Sequence, residues 1–68
     1  MEKLPRLRLV RQKCMLTEQR LADLAGMSKA TISNIETGRR AARYGTIEKL
    51  AKALGVDPKE LRGEVEAS

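Results

Sequence analysis

Between Thr17 and Gly38 the stretch TEQRLADLAGMSKATISNIETG sets two short amphipathic patterns end to end, parted only by Gly26 and Met27. Thr17 is a strong N-cap residue, and Leu21, Leu24 and Ala25 recur at helical spacing until Gly26, the residue type that most readily takes the left-handed conformation ending a helix. Ser28 is a second N-cap, after which Ile32 and Ile35 mark a buried stripe running to the next stop at Gly38. Two helices joined by so short a linker must cross steeply. Ala22, on the turn-facing side, is small enough to let them approach, and a larger side chain there is expected to break the crossing.

This is the spacing of a helix-turn-helix, and the outward face of its second helix determines what that helix can touch. With about 100° of rotation per residue, Ile32 and Ile35 define the inward face. Ala30, Asn34 and Thr37 fall opposite, Thr31 and Ser33 on the flanks, and Lys29 in the first turn. The strip is short and polar and lacks the large aromatic or aliphatic anchors that dominate protein interfaces. Its hydrogen-bonding groups are sized for base edges, which fits a major groove better than a protein groove.

The pattern L-T-x-x-x-L-A-x-x-A-G-x-S-x-x-x-I-S-x-I-E-x-G from Leu16 to Gly38 resembles the Cro/repressor-type (XRE-like) helix-turn-helix family of bacterial and phage regulators. The resemblance extends upstream to Leu7, Val10 and Arg11 and downstream through T-I-x-K-L-A-K-A-L-G-V, Thr46 to Val56. It implies an all-α fold, a compact five-helix bundle with helices near 4–14, 17–25, 28–37, 46–54 and 57–62, the second and third forming the motif. The expected organisation is one DNA-binding domain over residues 1–62 and a short flexible tail over 63–68. The expected core is Leu7, Val10, Leu16, Leu21, Ala25, Ile32, Ile35, Ile47, Leu50, Ala51, Leu54, Val56 and Leu61. Leu4, Leu9 and Leu24 are apolar where the family is often polar, either as core fillers or as contact surface.

Charge supports the same direction independently. Residues 1–43 carry ten Lys or Arg against four acids, a net of +6, whereas residues 44–68 carry four against five, a net of −1. The excess lies with the motif, as the electrostatic footprint of a DNA binder would. A basic surface kept for solubility alone is the plainer explanation, and the motif weighs against it.

Base reading is expected from Lys29, Ala30, Thr31, Ser33 and Asn34: Lys29 toward guanine O6 and N7, Asn34 toward the adenine N6 and N7 edge, Ala30 against a thymine methyl. A phosphate contact or a solvated first-turn position is the competing role for Lys29. Phosphate contacts are expected from Thr17, Gln19 and Arg20 at the positive end of the second helix, from Ser28, chiefly a cap, and from Thr37. The run from Gly38 to Tyr44 adds Arg39, Arg40 and Arg43; Tyr44 either donates to a phosphate or covers the end of the fourth helix. Where family members often have Gln after the Thr, this chain has Glu18 and then Gln19. Either Gln19 substitutes, or Glu18 serves as a first-turn acid. Arg11 and Glu36 resemble a family pair bridging the first helix to the recognition helix, and the plainer alternative is a surface ion pair.

The chain has no His, one Cys and no Gly-rich phosphate loop, so neither an enzyme, a metal site nor a cofactor is expected. Cys14 suits a small apolar filler or, less simply, a redox thiol. Family members often have Gly where Met15 lies, so the first helix is expected to close differently. No signal peptide or membrane-spanning run is evident, and a cytoplasmic protein without an attached effector domain is expected. The expected partner is double-stranded DNA, bound as a homodimer on a palindromic site, with no small-molecule effector evident. Candidate dimer surface is Val56, Leu61 and Val65. The alternative is a small module that binds a protein, such as an antitoxin-like partner, with DNA binding secondary.

Overall fold

A computed structural model describes residues 1–63 and contains five helices: α1 (Leu7–Lys13), α2 (Glu18–Ala25), α3 (Lys29–Glu36), α4 (Tyr44–Leu54) and α5 (Pro58–Arg62). No strand occurs among the described residues, only an isolated antiparallel bridge between Glu2 and Ala42. No helix of the described part is long and apolar enough to cross a membrane. The tail expected to fray lies, beyond Gly63, outside the described residues, and so does Val65.

The local reasons for these elements are visible at their ends. Thr17 Oγ1 accepts from the Arg20 amide at 3.0 Å, Ser28 Oγ from the Thr31 amide at 3.1 Å, and Asp57 Oδ1 from the Lys59 amide at 2.9 Å. Each satisfies a donor that the first turn of a helix leaves without a partner. At the end of α2, Gly26 takes φ 70° and the Met27 amide reaches back to the Ala22 carbonyl at 2.9 Å. The chain thereby reverses within the two residues the motif allows.

α1 closes by the pair of backbone bonds that ends α2, where Gly26 N–H also reaches Asp23 at 3.3 Å: Met15 N–H bonds to Gln12 at 2.9 Å and Leu16 N–H to Arg11 at 3.2 Å, but the left-handed position is Met15, at φ 56°. Its side chain is 91% exposed, so no packing offsets the Cβ strain there.

α2 packs on α3 and α4, α5 on α4 and α1, and α1 also on α3. Leu7, Leu21, Ile32, Ile35, Leu50 and Leu61 form the fully enclosed centre together with Leu4. Ala22 has no exposure, as the close crossing of α2 and α3 requires. Leu16 and Val56 are only partly buried and pack on the outside of this core.

Two boundaries differ from the sequence expectation by more than one residue. α1 begins at Leu7 instead of residue 4, because Leu4 precedes Pro5 and is disfavoured in helical conformation. Leu4 is instead driven into the core at 1% exposure, which leaves Leu9 and Leu24 as the solvent-facing pair. α4 begins at Tyr44, two residues early, with Arg43 as an N-cap that makes no side-chain bond. Thr46, where the resemblance places the start, lies inside that helix.

Candidate nucleic-acid interface

Ile32 and Ile35 anchor α3 in the core, and rotation about the helix axis then fixes what the other side presents. Lys29, Ala30 and Thr37 are exposed, while Thr31, Ser33 and Asn34 are half-buried on the outward side. Thr17, Gln19, Arg20, Ser28, Arg39, Arg40, Arg43 and Tyr44 are all exposed. Thr31, Arg39, Arg40 and Arg43 line one shallow cleft between α3 and the loop that follows it.

That loop is tied to the helix before it. The Asn34 carbonyl accepts from the Arg39 amide at 2.9 Å and the Arg40 amide at 3.1 Å. The Asn34 backbone thus holds two arginines in register without engaging its side chain. Farther along, the Ala42 amide and carbonyl both pair with Glu2, at 2.7 and 2.9 Å.

Several hydroxyls are already engaged. Thr37 Oγ1 donates toward the Ser33 and Asn34 carbonyls at 3.0 and 3.3 Å, so it offers a phosphate no proton unless that bond opens. Ser28 and Thr31 share a hydroxyl contact at 2.8 Å, which leaves the pair with one outward donor. Gln19 Nε2 donates to Asp23 Oδ1 at 3.0 Å along α2, leaving one amide proton for another acceptor.

The recognition helix is held from behind by Glu36, whose side chain has no exposed surface. Arg11 grips it through both carboxylate oxygens, Nε to Oε2 at 2.6 Å and Nη2 to Oε1 at 3.2 Å, and its third donor reaches the Leu16 carbonyl at 2.7 Å. Hydrogen bonding to Glu36 holds the Arg11 pKa above the ordinary arginine value, against the desolvation that lowers it; the Glu36 and Glu18 charges add to the rise. Glu18 thus belongs to the electrostatic surroundings of Arg11, in the first turn of α2. Arg8 adds a second, more exposed contact to Glu36 Oε1 at 3.2 Å. Sequence reasoning missed Arg8; the signal was its spacing, one turn before Arg11 on the same helix face.

No group of three His, Cys, Asp or Glu able to hold a metal occurs among the described residues. Cys14 is exposed, with Sγ 3.7 Å from the Leu54 carbonyl.

A capped, rigid helix with a polar outer strip, carried on a bundle and followed by a basic loop, defines a helix-turn-helix protein. The chain belongs to the Cro/repressor-type helix-turn-helix family, whose helix-turn-helix family model matches residues 7–61. It is 41% identical over 49 residues to control protein C.BamHI of Bacillus amyloliquefaciens, across 72% of this chain and 60% of that protein. It is 45% identical over 51 residues to the HTH-type transcriptional repressor RghR of Bacillus subtilis, across 74% of this chain and 38% of that protein. The matched part thus spans less than two thirds of either relative. Among solved structures, the restriction-modification controller protein C.AhdI from Aeromonas hydrophila superposes with a TM-score of 0.80 at 38% identity, covering 82% of this chain and 85% of that one. The P22 c2 repressor, solved in complex with a synthetic operator, shares the fold with a TM-score of 0.80 at 24% identity, covering 94% of this chain and all of the other.

Proposed function

We propose that this protein is a sequence-specific regulator of transcription that binds double-stranded DNA as a homodimer on a palindromic operator, acting in the cytoplasm by binding and not by catalysis. The observation that carries the reading is the two-sidedness of α3. Ile32 and Ile35 are at most 2% exposed, while Lys29 and Ala30 face solvent with Asn34 beside them. A helix so presented enters a major groove with its first turns against base edges, and a two-fold dimer spaces two such helices about 34 Å apart. Lys29, Ala30, Thr31, Ser33 and Asn34 then read bases. Thr17, Gln19, Arg20, Arg39, Arg40, Arg43 and Tyr44 meet phosphates, and Ser28 and Thr37 serve chiefly as caps. The names of the relatives, a control protein and a transcriptional repressor, support the same assignment.

The second reading, a module that binds a protein partner, has the exposed Leu9 and Leu24 in its favour, at 44% and 51% exposure. Titration against random duplex DNA at several salt concentrations separates the two. Neutralising several phosphates gives a log–log slope of about −0.9 per contact, and a flat response would remove the DNA reading. Selection from randomised duplexes then tests specificity and dimerisation together, a recovered palindrome being the expected result.

A further inference from the structure

We propose that Glu2 is a positioning residue for the arginine loop: it fastens Ala42 to the α5 end of the bundle and so holds Arg39, Arg40 and Arg43 in the arrangement that meets a phosphate backbone. The proposal rests on the DNA-binding reading above, and it assigns a role to a segment outside the family match, which begins at residue 7.

Three contacts converge on Glu2. Its amide donates to the Ala42 carbonyl at 2.9 Å, its carbonyl accepts from the Ala42 amide at 2.7 Å, and its side-chain Oε2 accepts from Arg62 Nη1 at 3.0 Å. Both ends of this connection are anchored. Leu4, two residues on, is 1% exposed in the core, Ala42 is itself 2% exposed, and the Arg6 amide reaches the Leu61 carbonyl on α5 at 3.3 Å.

The loop needs such a fastening. Its first part is held by the Asn34 carbonyl and its far end by the Arg43 carbonyl, which accepts from the Ile47 amide at 2.9 Å at the start of α4, where no side chain caps the helix. Between those points Glu2 supplies the backbone pairing that a neighbouring strand would otherwise give. A loop ordered before binding loses less freedom when phosphates fix its arginines, so the fastening acts on affinity without Glu2 touching DNA.

The test is Glu2→Pro in the full chain, which removes the donor to Ala42 and leaves Leu4 in place. The expected result is a chain that keeps its helical signal, exchanges its Ala42 amide about tenfold faster, and binds random duplex DNA about tenfold more weakly with a salt slope reduced by about 0.9–1.8, one to two phosphate contacts. Replacing the Glu2 amide by an ester removes the same donor without a ring and is expected to act alike, which covers the case in which the proline variant fails to fold. Glu2→Gln keeps the backbone pairing and an acceptor for Arg62, so it is expected to lose less than Glu2→Pro. In a chain with Arg39, Arg40 and Arg43 all replaced by Ala, Glu2→Pro is expected to cause no further loss. An equal loss in that background, or unchanged loop exchange in Glu2→Pro and the ester, overturns the proposal. A native chain that does not bind DNA overturns the functional reading instead, and the exchange measurement still tests the fastening.

Discussion

Arg11 and Glu36 lock α1 to the end of α3 through a two-point contact in which the carboxylate side chain has no exposed surface and the guanidinium side chain is 11% exposed. A pair so enclosed contributes little net energy relative to apolar residues of similar size, yet removing one partner strands the other. Glu36→Ala is therefore expected to cost about 3–5 kcal/mol in urea unfolding. Arg8→Ala, which removes a partner that is 53% exposed, is expected to cost under about 1 kcal/mol. Equal losses in the two variants would mean that burial of Arg11 does not set the energetics.

The crossing of α2 and α3 depends on Ala22 being small. With no exposed surface, the side chain has nowhere to expand. Ala22→Leu is expected to destabilise the fold by about 1–3 kcal/mol or to force the helices apart. Thermal unfolding checks the first outcome, and loss of DNA binding at temperatures well below the melting point checks the second.

Met15 is the reverse case, a residue whose replacement should help. It holds φ 56° with 91% of its surface in solvent. A Cβ in left-handed conformation costs about 1–2 kcal/mol, and Gly removes it, while the greater freedom of the unfolded Gly chain cancels about 0.4–1 kcal/mol of the gain. Met15→Gly is expected to raise stability by up to about 1.5 kcal/mol, a rise in Tm of several degrees for a domain this small. A fall in Tm would show that the Met15 side chain contributes contacts that outweigh the strain.

The contrast between these positions explains what the sequence reveals. α2 and α3 were legible because their signals are local: a hydroxyl cap at Thr17 and Ser28, an apolar stripe, and Gly at the stop. The inward face of α3 followed from Ile32 and Ile35 alone. Leu4 was undecided because one Leu before a Pro carries no period. The pairing of Glu2 with Ala42 left no trace because backbone groups belong to every residue, and forty positions of sequence separate the two. The start of α4 is two residues earlier than the family resemblance implies, because the helix begins at Tyr44 without any side-chain cap, so no residue type marks the boundary. At the candidate site, residue types marked the donors of Thr37 and Gln19, but not that Thr37 spends its proton on the Ser33 and Asn34 carbonyls.

Asn34 tests base reading because its backbone and side chain have separable roles. Its carbonyl holds the arginine loop, and this survives a change of side chain. Asn34→Ala is expected to cost about 1–3 kcal/mol on the selected operator and to relax preference at one base pair, with little loss on random DNA. Equal losses on both would assign Asn34 to the backbone or to folding.

Arg39, Arg40 and Arg43 call for the opposite outcome. They are exposed, they lie on the loop that Asn34 and Ala42 fasten, and with Thr31 they line a single cleft. Phosphates look alike along any duplex, so arginines that meet them contribute affinity without preference. Each Arg→Ala change is expected to weaken binding to operator and random DNA by the same factor and to reduce the salt slope by about 0.9. Because the loop packs little of its charged surface into the core, Tm should stay within a few degrees of native. If one arginine instead altered preference at a single base pair with the slope unchanged, that side chain would be reading a base edge, and the boundary between reading and clamping residues would move from the end of α3 into the loop.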